Sequence, residues 1–385
     1  MKKRISTTNG KTQKALALLS AIMLLMLAAC APNQQSSADT KITSEVDAMS
    51  IEIFNAVFES HEKENNLVLS PLSIQRLLDL MALATDERAD LKTLSVYDEN
   101  HLENLNLANS KMESLILINK AISDTKPELS FKNIKITEFP KQATKEKINL
   151  QKRVLDEVLN EESISAESVL VLLDAIQYYA EWTEPFDTAL TADADFTTFE
   201  KKKISVPTMS KKFDSLNYWT DDEKEIAQLD GKNDAKVYFI KPKKDIEKLD
   251  LAKAVSEFKE NANNGEVLFK MPKIEYKLTS DLKEMFEKIG LGKMLVNYEL
   301  EKLLPGVPLK ITSATQTATL KIDEKGARAK AVTEIQNEAA SALDEPTEIK
   351  MDSPYYIVMT DVEKNTGESI ITFVCYIADP SQKEK

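Results

Sequence analysis

Apolar residues recur at helical spacing over residues 45–60, where Val46, Met49, Ile53 and Val57 share one face. A second helix is predicted from Ser73 onward, after Leu67–Pro71, with Leu77, Leu78 and Met81 along it. Residues 85–108 are polar and acidic and predict no regular element. Strand-like stretches follow at Leu115–Lys120, Asn133–Ile136 and Val169–Tyr179, and the unbroken apolar run Val169–Leu173 predicts a strand buried on both faces. Between the last two, a helix over about 144–160 carries Ile148, Val154, Leu155 and Val158 as a core stripe. Ser280 is the expected N-cap of a later helix, with Leu282, Met285, Phe286 and Ile289 on one face and Gly290 ending it. The C-terminal pattern predicts a hairpin: Tyr355–Met359, a turn at Asn365–Glu368, then Ile370–Ile377. No repeat or Pro-rich linker interrupts residues 45–385, which reads as one mixed α+β domain.

The N-terminus has a different pattern. Lys2, Lys3, Arg4, Lys11 and Lys14 precede an apolar run from Ala15 to Leu27, which ends in Leu27-Ala28-Ala29-Cys30. That run is too short to span a bilayer comfortably. It resembles a bacterial lipoprotein signal, which implies removal of residues 1–29, acyl chains on Cys30, and a polar flexible tether over 30–44. The expected location is the cell envelope, on the outer membrane or the cell surface, facing the exterior or the periplasm. Ala31 does not look like a signal for retention in an inner membrane.

Charge narrows the partners. The net charge is −13 for the whole chain, and it becomes −18 once the five basic residues of the leader are gone. Nucleic acid and further polybasic membrane contacts are therefore poor partners. Two histidines, His61 and His101, lie in acidic, polar stretches and read as exposed and idle. One remaining thiol, Cys375, allows no internal disulfide once Cys30 is acylated. With no phosphate-cradling glycine motif, the chain offers almost no candidates for enzymatic chemistry, and no metal or cofactor is expected.

Several segments, in order, resemble the serpin family. They are Leu69-Ser70-Pro71-Leu72-Ser73-Ile74; Leu170–Tyr179 with Trp182 and Pro185-Phe186; Met271-Pro272-Lys273 with Asp281-Leu282-Lys283 and Leu291; Ile322-Asp323-Glu324-Lys325-Gly326-Ala327; and Pro354-Tyr355 with Phe373 and Asp379-Pro380. The resemblance implies a mixed main β-sheet, two further sheets, surrounding helices and an exposed reactive loop over about 324–350. Short connections around the predicted strands imply trimmed peripheral helices. It also implies a mechanism: a protease cuts the loop, and the severed arm enters the main sheet as a new strand, carrying the acylated protease with it. Lys273 and Glu324 would pair where the loop meets the sheet. Ser70, Ser73, Asp174 and Gln316 would form the polar cluster under the sheet, with Asp and Gln where the family has asparagine and histidine. A buried Asp174 would then need donors or a proton.

An inserting arm must alternate inward and outward side chains. From the pivot at Gly326, Ala327, Ala329, Ala331 and Thr333 fall on one face, then Ile335, Asn337 and Ala339. Arg328, Lys330, Val332 and Glu334 fall on the other. The same alanines also make a helical stripe, so a loop that never inserts is the competing reading. By the family's usual loop length, the resemblance implies a scissile bond at Ala340-Ser341 when counted from Glu324, and near Leu343-Asp344 when counted back from Pro354. The bracket is Ala339, Ala340, Ser341, Ala342, Leu343 and Asp344. No Lys or Arg occurs from Ala331 to Ile349, which disfavours proteases that need a basic residue at the bait. The expected partner is a serine or cysteine endopeptidase with a small or apolar pocket. The alternatives are a serpin-fold binding lipoprotein without inhibition, and an adhesin or solute-binding lipoprotein of another fold. Oligomeric state is not legible, and a monomer is the default.

Overall fold

The computed structural model describes residues 38–85, 95–119, 129, 135–138, 141–155, 164, 168–296, 298–311, 314–327 and 347–383. Helix α1 (Ala38–Ser60) starts inside the stretch expected to be a tether, and Cys30 lies outside the described residues. Strand β1 (Leu67–Leu69) leads into α2 (Pro71–Leu83), which begins at Pro71 rather than Ser73. Ser70 is its N-cap: the hydroxyl accepts from Ser73 N at 3.3 Å, and Pro71 takes a first-turn position where no N–H is needed. A short helix, α3 (Glu99–Asn104), occupies the acidic stretch that lacked periodicity, capped by Asp98. His101 is not idle there, because its Nδ1 lies 2.7 Å from Asp98 Oδ1, and His61 Nε2 is 2.9 Å from Asn65 O.

The remaining elements are β2 (Ser110–Ile118), β3 (Lys135–Glu138), α4 (Lys141–Leu155), β4 (Leu170–Tyr178), β5 (Ala180–Glu181), β6 (Ala192–Thr197), β7 (Lys203–Thr220), β8 (Lys224–Asp230), β9 (Lys236–Pro242), α5 (Leu251–Asn261), β10 (Asn263–Pro272), β11 (Ile274–Asp281), α6 (Lys283–Lys288), β12 (Thr315–Asp323), β13 (Gly326–Ala327), β14 (Thr347–Lys350), β15 (Tyr355–Val362) and β16 (Ser369–Ile377). Ser280 does not cap α6. It is buried near the end of β11, and Asp281 Oδ1 accepts from Lys283 N instead. Gly290 does end that turn, in the left-handed region at φ +86.

Among the described residues the strands form three sheets. The largest runs β1-β16-β15-β9-β8-β7-β10-β14, with β6 on β7. The predicted C-terminal hairpin β15–β16 is central in it, so Tyr355–Asp361 are buried on both faces rather than alternating. Helices α1 and α2 pack against β16. The other two sheets have orders β11-β12-β13-β5 and β3-β2-β4. With its helices, this is an α+β fold.

Two carboxylates, one buried and one half-buried, sit where the helices meet this core. Asp79 on α2 is 0% exposed, and its Oδ1 accepts from Val96 N and Gln75 Nε2. Burial pushes its pKa up to about 7, and burial likewise pushes Asp47 on α1, which accepts from Ile371 N, up to about 6. The folded chain therefore holds protons that the unfolded chain releases. That stability is present below about pH 4 and is lost as pH rises through about 6–7. Urea midpoints should fall between pH 4 and 7, and Asp79→Asn should remove up to roughly 4 kcal/mol of that slope. A wild-type midpoint that is flat or rising across this window refutes the assignment.

Candidate functional site

The two smaller sheets are halves of one surface. Strand β5 continues the line of β4 after Tyr179, and β13 pairs with β5 on one side and with β12 on the other. Below β13 the lips, β4 and β12, are unpaired with each other and enclose a groove of about 170 Å³. Ile176, Tyr178, Ala318 and Leu320 line its inner side, and Leu150 and Gln151 of α4 also border it. This open edge explains why Leu170–Leu173 are half-buried rather than buried on both faces.

Strand β12 alternates cleanly along the groove: Ala318, Leu320 and Ile322 are buried, and Thr317, Thr319 and Lys321 are half-exposed. The chain then reverses at Glu324-Lys325 and returns as β13 between the two lips. Three bonds from the segment after β5 hold this reversal. Trp182 N donates to Lys325 O at 2.9 Å, Trp182 Nε1 to Asp323 O at 3.0 Å, and Phe186 N to Glu324 O at 2.8 Å. The apolar Trp182 and Phe186 thus position the hinge through polar atoms.

Lys273 Nζ lies 2.9 Å from Glu324 Oε2 and 3.1 Å from Oε1, and Thr191 Oγ1 donates to the same carboxylate at 2.8 Å. Burial acts to raise the Glu324 pKa, but these donors more than offset it and hold the group below the ordinary glutamate range. Lys273 remains 40% exposed, so the pair positions the hinge more than it stabilises the fold.

Gly326 is required for a reason other than backbone freedom, since its φ is not positive. A Cβ there would overlap the Ala180 carbonyl oxygen and sit 2.9 Å from Glu181 Cα. Gly326→Ala should therefore push β13 off β5 and cost about 1–3 kcal/mol, read as a lower melting temperature. A wild-type melting temperature in that variant would count against this close approach. Ala327 is 1% exposed and lies opposite Ile322, on the inner face. The expected hinge residues Arg328, Ala329, Lys330 and Ala331, and the bracket Ala339–Asp344, lie outside the described residues.

The polar cluster under the sheet divides in two. Ser70 N donates to Gln316 Oε1 at 2.8 Å and Gln316 Nε2 donates back to Ser70 O at 2.9 Å, while Ser70 Oγ donates to Thr372 O. Asp174 does not join them. Its Oδ1 lies 3.1 Å from Arg76 Nε and accepts from Ser114 Oγ, so the donors it required come from α2 and β2. Arg76 also donates to Ser114 Oγ and to Leu102 O, while Asp174 Oδ2 is buried without a partner.

A family profile described as Serpin (serine protease inhibitor) matches residues 132–380, more than half of the chain. The chain is a serpin. The Callosciurus caniceps alpha-1-antiproteinase is 24% identical to this serpin over 365 residues, covering 85% of this chain and 86% of that one. Two solved structures share the fold at 18% identity. A thyroxine-binding globulin complex with thyroxine has a TM-score of 0.72, covering 89% of this chain and 99% of its own. Human glycosylated kallistatin has a TM-score of 0.71, covering 90% and 100%.

Arg76 and Thr191 are the site residues of this serpin that sequence reasoning missed. A lone arginine among the leucines of α2 was a usable signal, because a charge on an apolar helix face needs a buried partner. Thr191 carried no such signal: its role follows from where the chain turns after Phe186. Among the described residues no group of three or more His, Cys, Asp or Glu could hold a metal ion, and no helix is long and apolar enough to cross a membrane.

Proposed function

We propose that this serpin is a suicide-substrate inhibitor of serine or cysteine endopeptidases with small or apolar specificity pockets, cut within Ala339–Asp344. The observation that carries the reading is β13: two residues of the arm already run as a strand between β12 and β5, above the groove that β4 and β12 line. An unbroken continuation of that register pairs Ala329 with Leu320 and Tyr178, Ala331 with Ala318 and Ile176, and Thr333 with Gln316 and Asp174. Directly opposed residues share a face, so the small side chains would point inward beside Leu320 and Ala318. Arg328 and Lys330 would fall beside Lys321 and Thr319 on the outer face, toward α4 and solvent.

Mixing the purified domain with an elastase-like protease should give a band at the summed mass on a denaturing gel. Loop cleavage without that adduct rejects inhibition. The second reading is a non-inhibitory binding module, favoured by the fold shared with the thyroxine-binding globulin, whose structure holds thyroxine. That reading predicts cleavage with no adduct and no gain in heat resistance.

The leader extends the proposal to the cell envelope, with the chain held by acyl groups on Cys30. Two or more chains anchor stably because each buried methylene adds about 0.8 kcal/mol. Cys30→Ala should abolish incorporation of a labelled fatty acid and move the protein from the membrane to the soluble fraction. Labelling that persists in this variant rejects the anchor.

A further inference from the structure

The hairpin that joins β6 to β7 carries three consecutive lysines, Lys201, Lys202 and Lys203, all exposed, on a chain of net charge −13. Its tip is a tight turn: Lys201 N donates to Thr198 O at 2.9 Å, and Thr198 N donates to Lys202 O at 2.9 Å. Closing the hairpin this way puts Lys201 in the left-handed region, at φ +65. Among the described residues, the other non-glycine positions with positive φ are Asn233 and Asp234, the residue types that tolerate it best. Glycine is the usual residue at such a position in a hairpin loop, and lysine is strained there. The strain has no local return. Lys201 and Lys202 have no ion-pair partner among the described residues, and Lys203 reaches only Asp195, at 3.9 Å with both side chains 75% exposed.

The turn is fixed to the root of the bait. Thr197 N donates at 2.8 Å to the carbonyl oxygen of Asp352, two residues beyond the end of β14. Phe196 is 1% exposed and packs edge-on against Tyr355, where β15 begins, with ring centroids 6.4 Å apart. Other lysines at this root are already committed, Lys241 to Glu225 and Asp352, and Lys270 to Glu348. Asp344 is three residues from Thr347, so at most about 11 Å of chain separates the bracketed bond from β14. An endopeptidase domain of about 250 residues has a radius of gyration of about 18 Å, so one that grips this bond overlies the surface around β14. We infer that the Lys201–Lys203 turn is a contact for the target endopeptidase, selecting enzymes that carry carboxylates on the rim of the cleft. This rests on the reading of the loop as bait and adds the surface chemistry of the partner. The acidic remainder of the chain repels such an enzyme, so attraction at this one turn favours the approach that presents the bait.

Loss of the intact chain on denaturing gels measures loop cleavage, whether the product is an adduct or a nicked chain. The probes are subtilisin and the same enzyme with its lysine amines succinylated, which turns cationic groups into carboxylates. Each rate is normalised to hydrolysis of a small peptide substrate. Lys201→Glu with Lys202→Glu should slow cleavage by succinylated subtilisin on the order of tenfold at low ionic strength. The loss should be much smaller with unmodified subtilisin, and also in about 1 M salt, where charges are screened within about 3 Å. Lys145→Glu with Lys152→Glu, an equal change of charge at exposed positions of α4, should leave both rates near wild type. Lys201→Gly should hold or raise the melting temperature while still slowing the succinylated enzyme. A lowered melting temperature with an unchanged rate marks a lysine kept for folding and overturns the inference. Equal losses with both forms of the enzyme, or from the turn and α4 alike, overturn it as well. Absence of any adduct rejects inhibition, and the cleavage rates still decide the contact.

Discussion

Ala327→Arg leaves the loop cleavable and abolishes trapping: the expected result is full conversion from inhibitor to substrate. Ala327 is 1% exposed, opposite Ile322 and Ala180 on the inner face, where a guanidinium would have to be buried without an acidic partner. Such a charge costs several kcal/mol, enough to displace β13, the strand from which insertion must continue, while deacylation goes on. Denaturing gels with an elastase-like protease should show cleaved protein and no adduct. The Ala327→Ser variant, small and able to bond locally, should retain adduct formation. If Ala327→Arg still yields the adduct, the inner face does not need the small side chains that the register assigns to it.

Nicking the loop should raise the melting temperature by roughly 10–20 °C. An arm that fills the groove pairs along both lips and gains on the order of ten backbone hydrogen bonds, each contributing about 1 kcal/mol net. For a chain of this length, each kcal/mol shifts the midpoint by about 1–2 °C. The uncut and nicked forms can be compared directly by calorimetry, without any target protease bound. An unchanged midpoint would leave the arm outside the sheet and favour the binding-module reading.

Much of this was legible because it depends on local pattern. The stop at Gly290 and the hairpin around Gly367 follow from short-range backbone chemistry and fall where periodicity and turn residues place them, while the cap at Ser70 lies three residues before the predicted helix start at Ser73. Other elements misread for identifiable reasons. Ser280 has the residue type of a cap, but β11 runs on to Asp281, whose carboxylate takes that task. Val169–Leu173 are apolar enough for a strand with both faces covered, yet β4 is a lip, so an apolar run reports hydrophobicity and not which edge lacks a neighbour.

The order of the motifs, the alternation of Ala327, Ala329, Ala331 and Thr333, and the charges at Lys273 and Glu324 were set by the chain itself, because strand period and side-chain chemistry need no partner to be read. Tertiary structure alone decided that a groove separates β4 from β12, that Asp174 turns to Arg76 and away from Gln316, and that Gly326 is squeezed against β5. Each of these joins residues far apart in sequence, where the outcome depends on which donor or backbone arrives within a few ångströms.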